Sequence, residues 1–152
     1  MYGGPTTLNG DFHWLYLLDR FPHSIYALRN EGGDLNEFCI ELPEGLKGNH
    51  ELHFSNRHFR MNIAECEGFL SVFSCFHACI EIWKLTDHSK QEWIKKYNFT
   101  LHRIVNLAFR PNVVGSVHGG VILVVVRGKL MWFYIKKGNL CLFHGSIANQ
   151  MH

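Results

Sequence analysis

Proline is scarce in this sequence, four residues of 152, and no linker-like or low-complexity stretch interrupts it. Charge is scarce too: 18% of residues are charged, and the net charge is +2 with histidine neutral. Lysine and arginine are scattered, with only pairs such as Lys95-Lys96 and Lys136-Lys137. The basic stripe that a nucleic-acid surface needs is therefore missing. The longest apolar run, 121–126, falls far short of the ~20 residues of a membrane-spanning helix. Neither nucleic acid nor membrane is expected as a partner. The five cysteines (Cys39, Cys66, Cys75, Cys79 and Cys141) are odd in number and lack the spacing of a small disulfide scaffold. Met1-Tyr2-Gly3-Gly4-Pro5 has neither the basic start nor the apolar stretch of a secretory leader. An intracellular location, cytoplasmic or nuclear, is expected. There is no G-x-S-x-G, H-E-x-x-H, P-loop or G-x-G-x-x-G. No catalytic residue, cofactor or enzyme activity is assigned, because fold alone does not license one.

Apolar residues are plentiful at 47%, with fourteen glycines. That excludes disorder as the default and suits a turn-rich β protein. One pattern recurs three times: a glycine turn, then a strand-like apolar run. It starts at Gly10, Gly68 and Gly120. A second run follows each: Ile25-Tyr26-Ala27-Leu28, Ile80-Glu81-Ile82-Trp83-Lys84-Leu85, and Leu130-Met131-Trp132-Phe133-Tyr134-Ile135. A polar turn and a third run come next, beginning near Glu37, Glu92 and Leu140. A period near ~50 residues with several strands per unit reads as a kelch-like propeller blade. The expected fold is all-β: a partial propeller of about three blades of antiparallel strands, one repeat array over 1–152. Three blades fall short of the four to eight that close a ring.

The residues resemble the F-box-associated domain of plant F-box proteins. The likeness lies in Asn9-Gly10 with His13-Trp14-Leu15, then in Glu37-Phe38 with Leu42-Pro43. It continues in Gly68-Phe69-Leu70-Ser71, in Ile80-Glu81-Ile82-Trp83-Lys84-Leu85, and in Glu92-Trp93 with Lys95 and Tyr97. It ends in Gly120-Val121-Ile122-Leu123 and Phe133-Tyr134-Ile135, and so covers about 7–143. The resemblance implies the substrate-recognition part of a Skp–cullin–F-box ubiquitin ligase, with a protein substrate as partner. The F-box that docks on a Skp-type adaptor does not occur in the sequence. An adaptor is thus expected as a partner only where an F-box lies upstream, and residues 1–152 alone are expected not to bind it.

Binding residues concentrate on loops set on a rigid scaffold. The candidate recognition loops are 30–36, 44–51, 86–91 and 112–119. Within them the candidate residues are Asn30, Asp34, Asn36, Lys47, Asn49, His50, Asp87, His88, Lys90, Asn112 and His118. Trp14, Trp83, Trp93 and Trp132 sit at comparable places in the repeat. They read as core between blades, Trp83 largely buried, rather than as an aromatic binding surface. Two other functions stay open. One is a stand-alone or non-functional fragment without ligase docking. The other is a metal or redox protein using Cys66, Cys75, His77 and Cys79, because alternation puts the last three on one face of a single strand. That spacing is unlike a zinc knuckle, and buried cysteines are common as small apolar residues, so no metal is assigned. Finally, the chain is expected to be poorly soluble or to self-associate through its apolar terminal unit, and charges at Val124 and Val126 are expected to raise solubility without improving the fold.

Overall fold

In the computed structural model the described residues are 6–18, 21–47, 59–76, 79–100, 112–117, 121–126 and 129–146. They are almost all β. Twelve strands form three four-stranded antiparallel sheets, each a meander in sequence order. The first sheet holds β1 (Thr6–Leu8), β2 (Asp11–Leu18), β3 (Phe21–Glu31) and β4 (Asp34–Glu41). The second holds β5 (Phe59–Cys66), β6 (Phe69–Phe76), β7 (Cys79–Asp87) and β8 (Glu92–Thr100). The third holds β9 (Asn112–Val117), β10 (Val121–Val126), β11 (Lys129–Lys136) and β12 (Asn139–Ser146). One helical turn, α1 (Glu44–Lys47), follows the first sheet.

The turns are the part of the fold dictated most locally. Asn9-Gly10, Gly32-Gly33, Glu67-Gly68 and Lys137-Gly138 are two-residue connections with positive φ at both positions. That is the backbone of a type I′ hairpin turn, whose twist matches the flanking strands and favours glycine. Register follows from them. Ile63 on β5 faces Val72 on β6, and Ala27 on β3 faces Phe38 on β4.

Two apolar layers join the sheets. Leu15, Ile25, Ala27 and Ile40 of the first sheet pack on Met61, Ile63, Leu70, Val72 and Leu85 of the second. Phe73, Cys75, Ile80, Ile82 and Phe99 of the second pack on Ile122, Val124 and Phe133 of the third. The middle sheet is therefore covered on both faces, and every residue from Leu70 to Cys75 is buried. Alternation along β6 sends Leu70 and Val72 to one layer and Phe73 and Cys75 to the other. The first strands draw together: β5 touches β1 on one side and β9 on the other, and the Thr6 hydroxyl donates to the Ile63 carbonyl at 3.1 Å. Among the described residues the sheets close neither a barrel nor a ring.

Three expectations change. The tryptophans are half-buried, and they occupy the second, third and fourth strands of their sheets rather than one place in the repeat. Trp83 packs on α1, where a Cβ at Gly45 would stand 2.8 Å from the ring. Cys75 and Cys79 do not share a strand: β6 ends at Phe76, β7 begins at Cys79, and Cys75 pairs with Ile80. They point to opposite faces, one buried and one exposed, while His77 lies outside the described residues. Val124 is fully buried in the layer between the second and third sheets, so a charge there disrupts the core instead of improving solubility. Val126 ends β10, and its side chain is outside the described set.

Candidate interaction surface

The recognition candidates fall into unlike settings. Asn30, Asp34 and Asn36 gather, exposed, at the free tip of the β3–β4 hairpin. The Asn30 side-chain carbonyl accepts from the Gly33 N–H at 3.2 Å, and the Asn36 amide donates to Glu31 at 3.0 Å. These side chains support their own turn, as asparagine does in many loops. Asp87, His88 and Lys90 share the β7–β8 turn, where Asp87 accepts from the Ser89 hydroxyl at 2.7 Å and the Lys90 N–H at 3.0 Å. Those bonds hold its carboxyl below the usual carboxylate range. Lys47 ends α1, and half of the 44–51 loop is thus helical, with Leu46 buried. Asn112 is not a loop residue, because it opens β9 opposite Val125. Asn49, His50 and His118 lie outside the described residues.

The β7–β8 turn is pinned to the neighbouring sheet. The Gln91 amide donates to the Cys39 carbonyl and accepts from the Glu41 N–H, both at 3.0 Å. The Trp93 indole N–H then donates to the Glu41 carbonyl at 2.8 Å. A side-chain amide here takes the place of a next strand along the outer edge of β4, satisfying groups that would otherwise invite another chain.

Two polar clusters cap the apolar layers. In the first sheet, Arg29 forks onto Asp11 at 2.9–3.1 Å and lies over the Phe38 ring. Next to it on the same face, His13 is 1% exposed, and among the described residues neither ring nitrogen has a hydrogen-bond partner of good geometry, the Thr6 backbone offering only a weak contact. Burial lowers its pKa below 6.5, reinforced by His88 and Arg29 and opposed by the Thr6 backbone and Asp11. In the second sheet, Lys84 is buried with its ammonium 3.0 Å from Glu67 and 5.5 Å from both the Phe69 and Tyr97 rings. The Tyr97 hydroxyl donates to the other Glu67 oxygen at 2.7 Å. Burial works against the Glu67 charge, but the hydrogen bonds from Tyr97 and Lys84 outweigh it and hold the carboxyl low. Burial, then the Glu67 carboxylate, push Tyr97 up to about 12. A buried cation with a carboxylate and two rings is fully partnered, which suits a structural role. Sequence reading passed over both clusters, although a signal existed. Alternation places Asp11 and His13 on the face of Leu15, and Lys84 on the face of Ile80 and Ile82.

Burial pushes the Cys66 thiol up to about 11, so at neutral pH it is a thiol and not a ready metal ligand or nucleophile. Among the described residues no three His, Cys, Asp or Glu side chains converge on a metal position. No helix of the described residues is long and apolar enough to cross a membrane.

The outer face of the first sheet is a different kind of surface. Phe12, Tyr16 and Tyr26 are 44%, 46% and 39% exposed, around a half-buried Trp14. Phe12 stacks on Trp14 with ring centroids 6.2 Å apart. Exposed apolar surface gathered on one face marks an interaction site more often than a solvated one. No protein-family model, no curated protein and no solved structure matches the chain.

The buried, uncharged His13 makes stability depend on pH. Its folded pKa lies below the ordinary 6.5, so the unfolded chain binds the proton more readily. Stability is then full above the unfolded pKa and declines as pH falls through about 6.5. Thermal melts at pH 7.5 and 5.5 should show a loss on acidification that is smaller in His13→Leu. An equal loss in both proteins would show that His13 is not the group responsible.

Proposed function

We propose that the chain is a protein-interaction module built of propeller-type blades, of the kind that serves substrate recognition in F-box ubiquitin ligases. The observation that carries this reading is the stack itself. Three meanders lie face to face in chain order with their first strands converging, as blades do around a propeller axis. Short hairpin turns then project from a rigid scaffold, the usual place for recognition residues. The blade motifs resembling the F-box-associated domain supply the ligase context.

The test begins with cross-linking of the purified chain in a cell extract and identification of the linked protein. That partner is then purified and titrated calorimetrically. Replacing Asn30, Asp34 and Asn36 together by alanine should weaken binding about tenfold, the loss of one good charge-assisted or polar anchor. The same is expected for Asp87, His88 and Lys90 replaced together. A partner whose affinity survives both triple variants does not bind at the turns, and the recognition surface lies elsewhere.

A further inference from the structure

The two layers inside the chain join the sheets in the same sense, although α1 with Leu42 and Leu46 adds to the first. Each sheet has a forward face toward the next sheet and a backward face toward the one before. On the forward faces the central cross-strand pairs are Leu15 with Ile25 in the first sheet and Phe73 with Ile82 in the second. On the backward faces they are Val72 with Trp83 in the second sheet and Ile122 with Phe133 in the third. Continuing both series leaves two pairs without a facing sheet among the described residues. Trp14 with Tyr26 is the backward pair of the first sheet, and Leu123 with Trp132 is the forward pair of the third. The positions keep step: Trp14, Val72 and Ile122 are spaced like Leu15, Phe73 and Leu123. Among the described residues one face of each kind has no facing sheet, exposed at Phe12, Tyr16 and Tyr26 on the first sheet and half-buried at Leu123 and Trp132 on the third, and two faces of the same kind do not meet.

We infer that a second copy of this chain covers both faces, head to tail. The third sheet of one copy takes the first sheet of its partner, and the reverse contact closes the pair. The outer aromatic face, with Phe12, Tyr16 and Tyr26 exposed, then makes a contact in the same sense as the two inside the chain. The rims also carry opposite charge: Glu37 and Glu41 are exposed on the strand beside Tyr26, and Lys136 is exposed on the strand of Trp132. Two copies place six sheets in the ring, within the four to eight of closed propellers. A head-to-tail contact gives a closed object only if its rotation closes, and otherwise a filament. The inference rests on the stacked-blade reading and not on what the turns recognise.

Sedimentation velocity of the purified chain, with circular dichroism as the check on folding, tests it. The expected result is a discrete particle of twice the chain mass. Tyr26→Lys disrupts the backward face and Leu123→Lys the forward face, so each variant alone is monomeric with its β spectrum intact. Trp14→Lys and Val121→Lys serve as second variants for the same faces. Mixing a backward-face variant with a forward-face variant restores a two-chain particle, because one copy's intact third sheet meets the other's intact first sheet. A same-face dimer gives the opposite pattern: one variant class stays dimeric, and mixing restores nothing. A monomeric wild-type chain at high concentration, a same-face pattern, or mass growing without limit would each overturn the closed pair. None of these outcomes touches partner binding by the β3–β4 and β7–β8 turns, which the calorimetry reads separately.

Discussion

Phe73→Ala is expected to cost about 3–5 kcal/mol in chemical unfolding, more than any tryptophan truncation in the chain. Phe73 lies at the centre of β6 with no exposed surface, facing Ile82 across the hairpin and packed in the layer against the third sheet. Both faces of its sheet are covered, so little can collapse into the space a missing ring leaves, and cavity cost grows with what cannot relax. Trp83, the larger side chain, should cost less, about 1.5–3 kcal/mol, because part of its surface already meets water. Its indole N–H donates to Glu81 at 3.2 Å, and Lys95 lies over its ring. A part-buried hydrogen bond and a surface lysine over the ring return only modest net stability. Urea titrations of both variants decide the order. If Trp83→Ala is the costlier, the division of the core into two layers around β6 is wrong.

How much of this was legible in the sequence depends on how local its cause is. The turns at Gly10, Gly32-Gly33, Gly68 and Gly138 could be read directly, since positive φ demands glycine or a small polar residue there. Strand order followed, because two-residue turns leave antiparallel neighbours no choice. The depth of the tryptophans did not follow. A residue's burial depends on which sheet face is covered, and that is settled by neighbours ~50 residues away. The same holds for Gln91. Nothing near it announces that its amide will bond the backbone of Cys39 and Glu41 on another sheet. Lys84 shows the converse: a charge within an apolar run suggests an exposed face, yet Glu67, Phe69 and Tyr97 surround it. Asn30, Asp34 and Asn36 are exposed strand-end residues beside the β3–β4 turn, and exposure alone cannot name a partner.

Val124 and Leu123 carry the sharpest contrast, one residue apart on β10. Leu123 pairs with Trp132 and faces away from the middle sheet, whereas Val124 pairs with Met131 and faces into it. Val124→Asp is therefore expected to abolish the cooperative transition. An unpaired carboxylate in an apolar layer must either desolvate or take up a proton; proton uptake at neutral pH costs roughly 4 kcal/mol, and burying the neutral carboxyl without a partner adds about 1–3 kcal/mol. That is comparable to the whole stability of a domain, about 5–15 kcal/mol. Among the described residues the layer around it is apolar, formed by Ile122, Phe133, Phe73 and Ile82. Leu123→Asp removes a half-buried side chain from the outer face and should keep the cooperative melt, at a cost of about 1–3 kcal/mol. Calorimetry and far-ultraviolet circular dichroism of the two variants separate the faces. If both unfold alike, the outer face of the third sheet is covered within the chain itself, and β10 is buried on both sides just as β6 is.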